Sequence, residues 1–288
     1  MRFDPKTNRY PYPLETDHHY LEVKKNDGTV FDRNYPYVDK SKGFFAQQRW
    51  LDVLLYCIVY PLTYIRLGLK IKNKKKLKEY KDILKGGVIS VANHVHMWDY
   101  LAIKATIAPI HPRILVWGPN VSGENGKMIR SVGGIPIPEG DVRATKAYLD
   151  QVKEYLNEGG WLHIYPEGSM WEYYAPVRPF KRGPAFLAIA ANKPILPMGF
   201  SYRKPGWFRR VFMKQLGCFT LTIGDPIYPD PNLSGKEQEI DLTKRVHEAV
   251  CKLNGFEEGE NPYEPLFNDS KRIDYYTDSY GHGYKGSW

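Results

Sequence analysis

The chain has 288 residues, long for one domain and short for two full ones, so one core with appended arms is expected. Its 42% hydrophobic and 25% charged content excludes a disordered, collagen-like or disulfide-stapled chain. Forty-one Lys and Arg against 32 Asp and Glu leave a net charge of +9, which suits an anionic partner: nucleic acid, a phosphorylated small molecule or a membrane face.

Residues 1–20 are polar and lack the apolar segment of a secretory signal. The three cysteines, Cys57, Cys218 and Cys251, are far apart and form no CxxC spacing, which indicates neither a disulfide framework nor a cysteine zinc site and fits a reducing cytosol. Residues 1–43, rich in Tyr, Pro, Asp and Lys, read as an irregular arm. In the next segment, residues 44–85, the thirteen residues Val53–Ile65 carry no charge. That run is too short to cross a bilayer unaided, which takes about 20 apolar residues. Trp50, Tyr56, Tyr60 and Tyr64 suit a headgroup boundary, and eight lysines follow between Lys70 and Lys85. The segment is therefore expected to be an interfacial helix with a basic skirt on an anionic membrane.

From residue 86 to 255, short apolar runs alternate with helical stretches, the pattern of an α/β domain with a single mixed or mostly parallel sheet flanked by helices. The expected strands are Val88–Ala92, Arg113–Trp117, Trp161–Tyr165, Ile195–Phe200 and Cys218–Ile223. The expected helices are Asp99–Ala108, Asp141–Asn157, Arg182–Ala191 and Asp241–Leu253. Residues 256–288 read as a polar tail.

Chemistry enters at Asn93-His94-Val95-His96-Met97-Trp98-Asp99, directly after an expected strand, where open α/β sheets collect their reactive groups. A histidine there can take a proton from an attacking hydroxyl when a carboxylate fixes its tautomer, and Asp99 lies five residues on. As bare spacing the pair is weak. A second strand-to-turn motif, Tyr165-Pro166-Glu167-Gly168-Ser169, presents a carboxylate and a glycine that permits close approach by a ligand. It is followed by Phe180-Lys181-Arg182-Gly183 and by Lys193-Pro194-Ile195-Leu196-Pro197.

Taken in order, these blocks resemble the glycerolipid acyltransferases, the lysophosphatidic acid acyltransferase family, over roughly residues 80–230: His-x4-Asp, a Gly-rich segment, a Phe-Pro-Glu-Gly-Thr-Arg-like turn and an apolar block with paired prolines. The resemblance implies transfer of a fatty acyl group from a thioester on coenzyme A or acyl carrier protein to a lysolipid hydroxyl, most readily that of 1-acylglycerol-3-phosphate. It implies no acyl-enzyme and no resident cofactor or metal. His94 would be general base and Asp99 its orienting carboxylate. Glu167, Gly168 and Ser169 would hold the acceptor, with Lys181 and Arg182 for a phosphate and Gly134 in the glycine block. Backbone NH groups near Gly133, Gly134 or the His94 turn are candidate oxyanion donors. The implied location is the cytoplasmic face of the cell membrane, peripheral or monotopic through N-terminal membrane-associated helices, with a lysolipid, an acyl thioester and an anionic membrane surface as partners and no nucleic acid.

Two departures bear on the acceptor. Glu139 and Met170 stand where the family commonly has arginines, and neither side chain offers a planar fork for phosphate. Lys127, Arg130, Arg143, Arg178, Lys181 and Arg182 are the alternative cations, and an acceptor without phosphate remains open. A metal-dependent hydrolase built on His94, His96 and Asp99 is the rival reading, although Asp99 lies one residue too far along for a His-x-His-x-Asp-His loop, and His111, His163 and His247 supply no second ligand pair.

Overall fold

The structure is a computed structural model that describes residues 27–257, 259 and 261. Expectations for the remainder of the N-terminal arm and of the C-terminal tail lie outside the described residues. One seven-stranded sheet organises the chain, in the order β1-β7-β6-β2-β5-β3-β4. Its strands are β1 (Lys70–Lys72), β2 (Val88–Val91), β3 (Arg113–Trp117), β4 (Gly134–Ile137), β5 (Trp161–Ile164), β6 (Ile195–Arg203) and β7 (Cys218–Ile223). Every neighbouring pair is parallel except β6 with β7, so the sheet is mixed and mostly parallel.

The central strands carry apolar side chains on both faces because helices cover both. On one side Val88, Ala92 and Leu196 pack against Ala102, Ile103 and Ile107 of helix α2 (Asp99–Ile107). On the other, Ile89, Val91 and Leu162 meet α3 (Val142–Asn157), α4 (Gly183–Ala191) and α5 (Gly235–Leu253). Helix α3 shows why: Asp141 caps it by accepting from Arg143 N, and Tyr148, Val152 and Leu156, four apart, form its buried stripe. Each such side chain contributes about 1.5–3 kcal/mol on burial. At the entry to β2, Gly87 has φ +98, and a Cβ there would stand 1.9 Å from Leu156 O.

Two strands were not expected. β1 lies inside the basic run, where Lys-Ile-Lys reads as solvated chain, yet Ile71 pairs with Leu221 of β7. The sheet therefore reaches back before residue 86. β4 is Gly-Ile-Pro-Ile, whose glycine and proline mask its strand character. Helix α5 begins six residues before Asp241, because its polar first turns carry no apolar stripe.

The N-terminal helix α1 (Lys42–Leu67) is one continuous element, longer than its uncharged run, with a π-turn at Leu55–Val59. By length and composition it could cross a membrane. Its inner face packs on the domain, where Leu55 and Tyr60 meet Ala105 of α2. Upstream, the described part of the arm is docked rather than loose. Tyr37 is fully buried, Val38 N donates to Gln151 Oε1 at 3.1 Å, and Arg130 Nη1 donates to Tyr37 O at 2.6 Å.

Candidate active site

His94 follows the carboxyl end of β2, at the centre of the sheet. Its turn is tied down before any side chain is considered. Asn93 extends the ladder with its amide, Nδ2 donating to Phe200 O at 2.9 Å and Oδ1 accepting from Phe200 N at 2.8 Å. On the other flank Trp171 N donates to His94 O and Tyr173 N to Val95 O. Asp99 opens α2, and the tight turn between brings its carboxylate back under the ring.

His94 Nδ1 and Asp99 Oδ2 are 2.8 Å apart. The same oxygen accepts from the backbone N–H of Val95 at 3.0 Å and of His96 at 3.2 Å. Burial alone would raise the Asp99 carboxyl; the His94 ring, its hydrogen bond, the Tyr165 hydroxyl and the Val95 N–H outweigh it and hold the group below the usual carboxylate range. An ionised Asp99 fixes the ring proton on Nδ1 and leaves the lone pair on Nε2. The Asp99 side chain is 1% exposed and that of His94 25%, so the carboxylate is sealed while the imidazole reaches the surface. Such an arrangement is chemically able to accept a proton at Nε2.

Tyr165 completes the group, and motif reading alone did not single it out. Its ring stacks on His94 at 4.0 Å between centroids and 9° between planes, and its hydroxyl donates to Asp99 Oδ1 at 2.7 Å. Burial first, then the Asp99 charge, push the phenol well above its ordinary value and keep it a donor. The signal available in the sequence was a tyrosine where the family motif has phenylalanine.

Glu167 is brought to the same place, 3% exposed. Its Oε2 accepts from His94 N at 2.9 Å and Arg178 Nη2 at 2.8 Å, and its Oε1 from Arg178 N at 2.8 Å. These bonds clamp the 165–169 turn to the His94 turn. Ser169 is also buried and accepts from Arg178 Nη1 at 2.9 Å. Arg178, 1% exposed, lies 4.5 Å over the Trp171 ring. Gly168 has φ +82, and a Cβ there would lie 3.0 Å from Lys181 Cε and 3.1 Å from its Nζ. Lys181 and Arg182 are exposed beside this turn, and Arg182 stands 3.9 Å from Glu239.

Other expected residues fall elsewhere. Gly134 is buried at the start of β4, three strands from β2, where its carbonyl accepts from Arg130 Nη1 at 3.0 Å. A Cβ at Gly134 would sit 2.7 Å from Ile129 O, so the glycine serves close packing. Gly133 N donates to Arg130 O, and the N–H groups of His94, Val95, His96 and Trp98 all have acceptors within the protein, so these candidate oxyanion donors are taken up. Of the alternative cations, Arg130 and Arg178 are bonded into the fold, whereas Lys127 and Arg143 are exposed. Glu139 accepts from Trp117 Nε1 at 2.8 Å.

His96 is a packing residue. Its ring meets Tyr173 and Phe219 edge-on, Nδ1 accepts from Trp98 N at 3.0 Å, and burial pushes its pKa down to about 4. Its Nδ1 lone pair and the His94 Nδ1 are both engaged, and among the described residues no three His, Cys, Asp or Glu side chains converge to hold a metal.

A histidine–carboxylate pair thus stands after the carboxyl end of a parallel strand, clamped by a second strand-to-turn motif on an α/β scaffold. Residues 68–201 match the family model described as Acyltransferase. Among solved structures it is similar to the crystal structure of the 1-acyl-sn-glycerophosphate (LPA) acyltransferase PlsC from Thermotoga maritima, with 21% identity, a TM-score of 0.40, and coverage of 73% of this chain and 94% of that one. A search of curated proteins returned no match.

Proposed function

We propose that this acyltransferase moves a fatty acyl group from coenzyme A or acyl carrier protein to a lysolipid hydroxyl, with 1-acylglycerol-3-phosphate as the leading acceptor, at the cytoplasmic face of the cell membrane. The observation that carries the reading is the His94–Asp99 pair at 2.8 Å, with a sealed carboxylate and an open imidazole. In this mechanism His94 Nε2 removes the proton of the acceptor hydroxyl as its oxygen attacks the thioester carbonyl. The tetrahedral intermediate collapses with cleavage of the C–S bond, and the imidazolium returns the proton to the leaving thiolate. Asp99 steadies the imidazolium in between. Holding alcohol and thioester side by side supplies much of the acceleration. Lys181 and Arg182, exposed beside Gly168, are positioned to meet an acceptor phosphate.

An acceptor without phosphate is the second reading. It is favoured by Glu139 and Met170 in place of arginines and by the bonding of Arg130 and Arg178 into the fold. A panel of lysolipids with and without phosphate, offered with labelled acyl-coenzyme A and acyl carrier protein, separates the two. His94→Ala is expected to lower turnover at least about 10³-fold with the fold intact. Full activity in that variant would remove the assignment of His94 as base.

A further inference from the structure

The connection from β6 to β7 holds a helical turn, Trp207–Val211, that contributes nothing to the core. Trp207, Phe208 and Phe212 are 65%, 61% and 64% exposed. They contact one another instead, with centroids 5.5 Å apart for Trp207 and Phe212 and 5.2 Å for Phe208 and Phe212. Such a cluster of exposed rings marks an interaction site. Around it stand Arg203, Lys204, Arg209, Arg210 and Lys214, and no acidic residue occurs from Tyr202 to Gly224.

The turn is fastened to the end of α1. Arg209 Nη1 donates to Ile65 O at 2.6 Å, Gln215 Nε2 to Arg66 O at 3.1 Å, and Arg203 Nη2 to Gly68 O. These bonds satisfy the carbonyls that a helix C-terminus leaves open. Along α1 itself, Trp50, Val53, Leu54, Cys57, Ile58, Pro61, Leu62 and Ile65 recur at helical spacing and are all exposed, while Leu55, Tyr60, Thr63 and Leu67 face the protein. The turn therefore adjoins an uncharged helix face that ends at Ile65, and β1, carrying Lys70 and Lys72, follows directly.

We propose that the Trp207–Phe212 turn is a second membrane anchor, entering the headgroup region of an anionic bilayer beside the outer face of α1. The inference rests on the membrane-face reading above and adds to it the element that sets the domain's orientation on the bilayer. Aromatic rings flanked by cations, in a segment that holds no acidic residue, match the boundary between acyl chains and anionic headgroups. A second copy of the same face would bring like charges together, which disfavours that occupant.

The test uses the full chain with an environment-sensitive fluorophore on Cys57, which is exposed on α1, or on Phe212→Cys in a Cys57→Ser background; Cys218 and Cys251 are buried. Vesicles are phosphatidylcholine alone or mixed equally with phosphatidylglycerol. Both labels are expected to shift to the blue with the anionic vesicles. Combined replacement of Trp207, Phe208 and Phe212 by Ser is expected to weaken vesicle partitioning at least about tenfold with an unchanged circular dichroism spectrum. Lys204→Gln and Lys214→Gln should each cost about fivefold on anionic vesicles only. A response at Cys57 with none at position 212 overturns the second anchor and leaves the membrane reading standing. Silence at both positions overturns both. A response at position 212 that follows protein concentration without vesicles makes the face a contact between copies and overturns the proposal.

Discussion

Removal of one oxygen, in Tyr165→Phe, tests the geometry of the site with little collateral change. The phenyl ring keeps its stack on His94, and what is lost is the hydroxyl that donates to Asp99 Oδ1 at 2.7 Å. Asp99 is 1% exposed, so water does not readily replace that donor. A hydrogen bond to a buried charged acceptor is worth about 1.5–3 kcal/mol, and a loss of about 2 kcal/mol in urea unfolding near neutral pH is expected. The catalytic consequence is smaller. Asp99 Oδ2 keeps its bonds from the His94 ring and the Val95 and His96 amides, so the ring stays in place and kcat is expected to fall less than about tenfold. Urea unfolding and turnover of both proteins, with the same acyl thioester and lysolipid, provide the measurements. Unchanged stability would refute the bond to Asp99, and a loss of about 10³-fold in kcat would show that the hydroxyl takes part in the chemistry.

The other buried charges yield further predictions. Asp99→Asn keeps the shape but offers an amide where the imidazole needs an anion; kcat should fall about 10³-fold or more while KM stays within about threefold, and a loss below tenfold would contradict the orienting role. Arg178→Met leaves Glu167 charged and unpaired in a site where both side chains are almost fully buried, so denaturant unfolding should show a loss of about 3–5 kcal/mol, partly recovered by adding Glu167→Gln; no recovery would mean the pair is not coupled. Burial lowers His96 to about 4 and His163 to about 3, against 6.5 for an ordinary histidine. A depressed folded value means that the unfolded chain binds the proton first. The stability these two rings contribute is therefore complete above 6.5 and declines as pH falls toward those lower values, by about 1.4 kcal/mol per pH unit for each ring. A flat stability between about pH 6.5 and pH 4.5 would count against neutral buried rings.

The parts of this site that are legible in sequence are those closed by short chain segments. His94 and Asp99 lie five residues apart across one strand-to-helix turn, so their meeting depends on local geometry; the bare spacing is weak, and the motifs that follow it in order give it weight. The central strands are legible because strands covered on both faces are continuously apolar. Tyr165 stands inside a quoted motif, yet its role depends on parallel pairing of Val91 with Ile164, which brings the residue after β5 alongside the His94 turn. Nothing local encodes that register. Gly134 shows the reverse: a glycine in a motif invites a ligand, and here it admits the Ile129 carbonyl instead.

Arg178, one of six alternative cations offered by the sequence, stands in the structure as a buried partner of Glu167, and the reason is physical. An arginine near an acyl-transfer motif was weighed as a phosphate ligand because surface cations usually face solvent or substrate. Its guanidinium is instead enclosed by Glu167, Ser169 and the Trp171 ring, and that carboxylate also accepts from the backbone N–H of His94. A buried ion pair of this kind is weak support for stability by itself, since desolvation offsets most of the attraction. Its effect is directional: it fixes the peptide that carries His94, while Asp99 fixes the ring. The imidazole is thus held through its main chain by one carboxylate and through its Nδ1 by another. Both anions are sealed from solvent, while Lys181 and Arg182 are left exposed beside Gly168.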